Sequence, residues 1–226
     1  MKKTNLKALA IALSALIAGG AIAGTIAYLT SRDTITNTFS VGNVEIKLDE
    51  AKVDLQGKPL DENGNVVEDI EDAYRHNAGN KYHLIPGQSY TKDPTMTVLK
   101  NSEESYVRML VTINCYNALQ QIYNGEFLPQ YFVNGWDNNI WTTTKNIVVS
   151  GDKATYEFRY YKTVSGENSD LDLEPLFTSF IVPSEFNGSD LKALENFEIT
   201  VEGNAIQKIG FDNADSAWAA FDAQTK

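Results

Sequence analysis

A zinc peptidase needs two imidazoles one helical turn apart, with a carboxylate base between them. His76 and His83 are the only histidines of the chain. They stand seven residues apart in a polar stretch that reads as loop, with Glu71 and Asp72 nearby and no His-Glu-x-x-His pattern. They read as solvated loop histidines. Ser89-Tyr-Thr-Lys92 has the spacing at which a lysine activates a serine, but that chemistry presents the serine from a helix start and needs Ser-Asp-Asn and Lys-Thr-Gly companions. This segment alternates like a strand and neither companion occurs. Asp61-Glu-Asn-Gly-Asn65 places its glycine before the third ligand position of a calcium loop, where it should follow, so an Asn-Gly hairpin turn is expected there. Asp170, Asp172 and Glu174 are oxygen donors on one acidic loop, a pattern that ordinarily is just solvated. Glycine-rich phosphate loops and Gly-x-Ser-x-Gly elbows are absent. No catalytic, cofactor or metal residue is expected, and the chain reads as a non-enzyme.

The scaffold around these residues is β-rich. Residues 39–48 alternate, with Phe39 and Val41 on one parity and Val44, Ile46 and Leu48 on the other, so a bulge or turn at Gly42-Asn43 is expected within a first core strand. Residues 49–83 are mostly polar and read as an exposed hairpin and loop insertion. Tyr90, Lys92, Pro94, Met96 and Val98 share one parity, and Pro94 assigns that strand to a sheet edge. The cleanest alternation, Val107, Met109, Val111 and Ile113, predicts a central strand over residues 106–116 with Cys115 buried on its apolar face. After an irregular cover at 118–139, strands are expected at 140–144, 146–149, 155–164, 176–182 and 197–207, with a hairpin turn at 150–153 and a turn of helix at 189–195. Asn213 should cap a final helix carrying Ala217, Trp218 and Phe221 on one face, closing one end of the core. Many short strands with frequent turns point to an all-β, antiparallel sandwich with short peripheral helices.

The N-terminus states a destination. Lys2, Lys3 and Lys7 precede an apolar run over residues 9–22 and a small-residue region, the three layers of a secretory signal. The run is short, broken by Ser14, Gly19 and Gly20, and the chain turns polar from Thr30, so a retained membrane anchor is not expected. Small-residue rules leave two cleavage sites, after Ala23 and after Ala27. Removing residues 1–27 leaves 199 of the 226 residues, enough for one large β domain with a full core. The whole chain has 19 basic and 30 acidic side chains, and three of the basic ones leave with the signal. A product at about −14 is a poor partner for nucleic acid or anionic membrane, and the charge reads as the solubility of an extracellular protein. With Cys115 as the one cysteine, no internal disulfide can form.

Ala27-Tyr-Leu-Thr-Ser-Arg-Asp-Thr-Ile-Thr-Asn-Thr-Phe-Ser-Val-Gly-Asn-Val44 resembles the signature of the TasA and camelysin family, secreted proteins of Gram-positive bacteria with a dedicated signal peptidase. Leu84-Ile-Pro-Gly87 leading to Lys92-Asp-Pro94, Tyr106-Val-Arg108, and Ala205-Ile-Gln-Lys-Ile-Gly-Phe211 followed by Ala217-Trp218 are similar to further parts of that family. The resemblance implies cleavage between Ala27 and Tyr28, a jelly-roll form of the sandwich, and a biofilm-matrix protein. It also implies a donor strand at 28–37, with Tyr28, Leu29, Thr30 and Ile35 among its residues, ahead of a single domain at 38–226. That strand has β propensity and no evident partner of its own, and in this family it completes the sheet of the next subunit. The expected partners are a second copy, in a head-to-tail homopolymer, or paralogous matrix subunits, besides the signal peptidase. The location implied is the extracellular matrix or cell surface. Two other classes stay open at this point. One is a camelysin-like metallopeptidase, for which chelator-sensitive casein hydrolysis abolished by His76→Ala would be the mark. The other is a monomeric surface adhesin or binding module, marked by a sharp monomer peak under all assembly conditions.

Overall fold

The computed structural model describes residues 30–33, 39–40 and 43–224. Its centre is β7 (Ser105–Ile113), whose Val107, Met109, Val111 and Ile113 are buried. Along one side lies β13 (Ile199–Gln207), antiparallel over all nine residues from Ser105↔Gln207 to Ile113↔Ile199. Along the other lies β10 (Lys153–Tyr160), followed outward by β9 (Trp141–Ser150). β1 (Thr30–Asp33) and β2 (Phe39–Ser40) extend the sheet beyond β13, giving the order β2-β1-β13-β7-β10-β9.

A second sheet, β11-β6-β3-β4, comprises Leu171–Asp172, Thr95–Val98, Ile46–Ala51 and Arg75–His76 in that order. A small third sheet, β5-β12-β8, comprises Ser89–Thr91, Ser179–Ile181 and Val133–Asn134. Every pairing is antiparallel, and the helices are short and peripheral. The core lies between the sheets, where Ile46, Leu48, Met96 and Val98 join the inward side chains of β7, β10 and β13. Burying each such side chain contributes roughly 1.5–3 kcal/mol. The layers approach closely at Gly203, where an added Cβ would stand 2.6 Å from Met96 Cε.

Several expectations are corrected by this arrangement. The stretch 39–48 is not one strand: β2 belongs to the large sheet and β3 to the second, and Gly42 of the expected bulge lies outside the described residues. The stretch 90–98 is also split. β5 and β6 lie in different sheets, Lys92-Asp93-Pro94 makes the crossing, and β6 sits between β11 and β3 instead of at an edge. Lacking an N–H, Pro94 sits in the crossing and contributes only its carbonyl, which accepts from Leu176 N–H at 3.0 Å. The polar insertion is not wholly exposed, since Asp49, Glu50, Ala51 and Ala73 are buried and β4 returns to pair with β3. The two strands expected at 140–149 are one bulged strand, in which Thr144, Lys145 and Asn146 face Glu157 alone.

Cys115 does not lie on the β7 face. The strand ends at Ile113, and Cys115 takes a left-handed conformation (φ 53°) as the N-cap of α1 (Tyr116–Ile122), half-buried. Burial, with the nearby Asp152 and Glu198 charges, raises its thiol pKa, which keeps it protonated and unreactive.

The capped terminal helix is present as α3 (Ala214–Gln224), following α2 (Gly188–Ala193). Asn213 and Ser216 exchange backbone-to-side-chain hydrogen bonds at its start. It does not close an end of the core. Trp218, Phe221 and Ala217 form a separate cluster with Ile206, Tyr106 and Phe211 on the outer face of the large sheet.

Gly166 fixes the connection between β10 and β11. Its N–H donates to Ser102 O at 3.0 Å, its carbonyl accepts from Asn101 N–H at 2.7 Å, and a Cβ there would stand 2.0 Å from Leu99 O. Gly166→Ala therefore displaces backbone and is expected to cost about 1–3 kcal/mol. A melting midpoint equal to wild type would refute this.

Candidate functional site

The N-terminal strand has a partner within its own chain, contrary to the sequence expectation. β1 pairs with β13 in the register Thr30↔Ile206, Ser31↔Ala205, Arg32↔Asn204 and Asp33↔Gly203, and β2 folds back on it through Arg32↔Phe39 and Ser31↔Ser40. The two paired strands thus lie on the side of β13 that faces away from β7. β13 suits this because its inward residues, Val201, Gly203 and Ala205, are small, so the second sheet can approach. Without β1 and β2, β13 would be the terminal strand of the sheet, with its outer backbone groups free to pair. The leader, the Ala27-Tyr28 junction, Leu29 and Ile35 lie outside the described residues. No helix among the described residues is long and apolar enough to cross a membrane.

Of the residues singled out for chemistry, His76 and Lys92 meet at one cluster through Asn80 and Glu50, and the others are dispersed. His76 lies on β4 with Nε2 3.2 Å from Asn80 Oδ1. His83 makes backbone bonds, donating to Leu55 O at 2.8 Å and accepting from Tyr90 Oη at 2.5 Å. Among the described residues, no group of three or more His, Cys, Asp or Glu side chains could hold a metal ion. Ser89 is exposed and lies 3.5 Å from Phe180 O, whereas Lys92 is buried and donates to Glu50. Asp61 accepts from the backbone N–H groups of Asn63 and Asn65 at 2.9 and 2.8 Å, closing the turn at Gly64 (φ 84°). Hydrogen bonds from Asn65, then Asn63, lower its pKa. The acidic loop is engaged by protein groups: Asp170 accepts from Lys100 N–H at 2.7 Å, Asp172 from Thr97 Oγ1 at 2.6 Å, and Glu174 from the Tyr160 hydroxyl.

Two buried polar clusters were missed at the sequence level. Around the Lys92-Asp93-Pro94 crossing, Arg75 donates through Nε to Asp49 at 2.6 Å and through Nη1 to Asp93 at 2.6 Å. Burial works against its charge, but Asp93 and Asp49 outweigh burial and hold the guanidinium pKa above its ordinary value. Beside it, Lys92 Nζ donates to Glu50 Oε2 at 2.5 Å, and Asn80 Nδ2 to Glu50 Oε1 at 2.9 Å. Lys92 and Asn80 open onto a cleft of roughly 1240 Å³ between residues 78–84 and 191–200. The second cluster lies under α3. Arg108 bonds to Asn204, Glu157 and Asp222, with its guanidinium carbon 4.4 Å from the Trp218 ring centre and 5.1 Å from that of Phe221. A signal for the first was present, because Glu50 continues the parity of Val44, Ile46 and Leu48, and Lys92 shares that of Tyr90 and Met96.

No family model, curated protein or solved structure matches this chain.

Proposed function

We propose that this chain is a secreted structural protein of an extracellular matrix, with a jelly-roll domain whose subunits join head to tail by exchange of the N-terminal strand. The reading rests on the resemblance of residues 27–44 and the later motifs to the TasA and camelysin family. The observation that carries it is the placement of β1, an N-terminal strand hydrogen-bonded to the last long strand of the domain on its outer side. An incoming copy of β1 offers β13 the same main-chain bonds, and alternate side chains supply specificity. Because β1 already closes the edge within its own chain, assembly proceeds by exchange, with the closed monomer as its competing state. A contact in which one end of a subunit enters a different patch on the next propagates as a filament when its rotation does not close a ring. Paralogous subunits with the same acceptor edge would be incorporated by the same route.

Deleting residues 28–37 from the mature protein should leave a folded monomer that does not polymerise. Ile35→Pro should weaken polymerisation by removing a donor. Fibres of unchanged length and yield from the deletion, seen by electron microscopy, would sink the proposal, as would a wild-type protein that stays monomeric under every assembly condition.

A further inference from the structure

Glu50, Asn80 and Lys92 belong to neither β1 nor β13, and their side chains are joined through one carboxylate. One carboxylate holds a nucleophile on one oxygen and a leaving nitrogen on the other, since Lys92 Nζ lies 2.5 Å from Glu50 Oε2 and Asn80 Nδ2 lies 2.9 Å from Glu50 Oε1. The carboxamide is fixed on its remaining sides as well. Asn80 Nδ2 also donates to Ala51 O at 2.8 Å, while Asn80 Oδ1 accepts from Val53 N–H at 3.0 Å and lies 3.2 Å from His76 Nε2. Donors on a carbonyl oxygen, set before the reaction, stabilise the oxyanion that forms when the carbon is attacked.

The ion pair itself is shielded, although Asn80 and Lys92 border the cleft. The Lys92 and Glu50 side chains are each 6% exposed. Tyr82 and Phe180 line the same cleft as Lys92 and Asn80, and the Tyr82 ring meets those of Phe180 at 4.9 Å and Tyr90 at 5.7 Å. Burial, and after it the Glu50 charge, raises the Tyr82 phenol well above its ordinary value, so this hydroxyl stays neutral beside the pair. Buried ion pairs are weak contributors to stability in themselves, so stability alone is a poor account of one wired to a third, immobilised amide.

We propose that Lys92 and Asn80 join in an intramolecular isopeptide bond, with Glu50 as proton carrier and with Val53 N–H and His76 Nε2–H as oxyanion donors. Glu50 takes a proton from the Lys92 ammonium, and the freed lone pair attacks Asn80 Cγ. The Nζ–Cγ bond forms as the carbonyl oxygen becomes an oxyanion facing Val53 and His76. When the carbonyl re-forms, the Cγ–Nδ2 bond breaks. Glu50 returns its proton to the departing nitrogen, which also takes the second amine proton and leaves as ammonium. The sum is an ammonium and a carboxamide giving a secondary amide and an ammonium ion, with no oxidant or cofactor. Positioning of this kind replaces the entropy of a bimolecular encounter, and the nucleophile with its adjacent base follows the general pattern of activated side chains. The bond ties the returning segment of the insertion to the crossing between β5 and β6. It is a covalent tie that a chain with one cysteine cannot obtain from a disulfide.

Mass spectrometry of the mature wild-type protein decides the matter. The intact mass should be lower than the sequence requires by one ammonia. Trypsin should release a branched fragment joining residues 76–81 to residues 82–100, with no cut after Lys92. Lys92→Arg and Glu50→Gln should restore the full mass in protein whose circular dichroism remains that of a folded β domain. A wild-type protein of full mass, cleaved after Lys92, overturns the proposal whatever the variants do. Ammonia loss without the branched fragment, as a succinimide at Asn80 would give, overturns it equally, as does ammonia loss that persists in Lys92→Arg. Failure of fibre formation has no bearing on this result, because the bond is read in the monomer.

Discussion

Val111→Asp is expected to abolish the folded state at moderate temperature or to lower its melting midpoint by about 10 °C or more. Val111 sits in the middle of β7, opposite Val201 on one side and Tyr156 on the other, and is 6% exposed. A carboxylate there would lose its water among Val107, Met109, Ile113 and Phe158, with no cation on the inward face of β7. It would remain charged at a penalty on the order of 4 kcal/mol or take up a proton at a comparable one. For a domain of this length each kcal/mol moves the midpoint by about 2–4 °C. Thermal unfolding followed by circular dichroism checks it, and a midpoint equal to wild type would show that β7 is not the central strand.

Arg108→Met is expected to cost about 1–3 kcal/mol, the range for leaving a buried acceptor without its donor. Methionine fills most of the same volume, so the loss is electrostatic in origin. Asn204 Oδ1, fully buried, loses its donor at 3.1 Å, and the rings of Trp218 and Phe221 lose the guanidinium near them, whereas Glu157 keeps Arg159 at 2.8 Å and the Asp222 side chain is half exposed to solvent. Because α3 and its partners form a cluster apart from the main core, the damage should concentrate there. Trp218 fluorescence should shift to the red at lower denaturant than the β-sheet signal is lost. Coincident transitions with an unchanged midpoint would show that Arg108 contributes nothing to holding the helix.

The periodicity of the large sheet was legible because its strands are long and covered on the inner face by one continuous core. The alternation of Val107 to Ile113, the turn around Gly151, and the cap at Asn213 all stand where the residues place them. What failed were the crossings between sheets. A parity slip looks the same in sequence whether the chain bulges within a sheet or leaves it, and the pairing of β2 with β1 and of β3 with β6 decides which. The ionic cluster escaped for a related reason. Asp49, Glu50, Arg75, Lys92 and Asp93 come from three separate stretches, and each alone has the polarity of a surface. Only their convergence makes burial tolerable. The in-chain pairing of β1 was hidden because its partner lies some 170 positions away, beyond the reach of any local pattern.

The bulge in β9 interrupts one edge of the large sheet. β9 is the outer strand of the large sheet at the end opposite β1 and β2, ten residues long, with Val148 and Val149 exposed, and an uninterrupted edge of that kind is a template for unwanted sheet growth. Where Thr144, Lys145 and Asn146 oppose the single residue Glu157, the ladder shifts register by two. An approaching strand can match Trp141 to Thr143 or Ile147 to Ser150, but not both in one straight register. Each piece alone is shorter than the five or six residues of an ordinary strand. That end of the sheet is therefore blunted against sideways accretion.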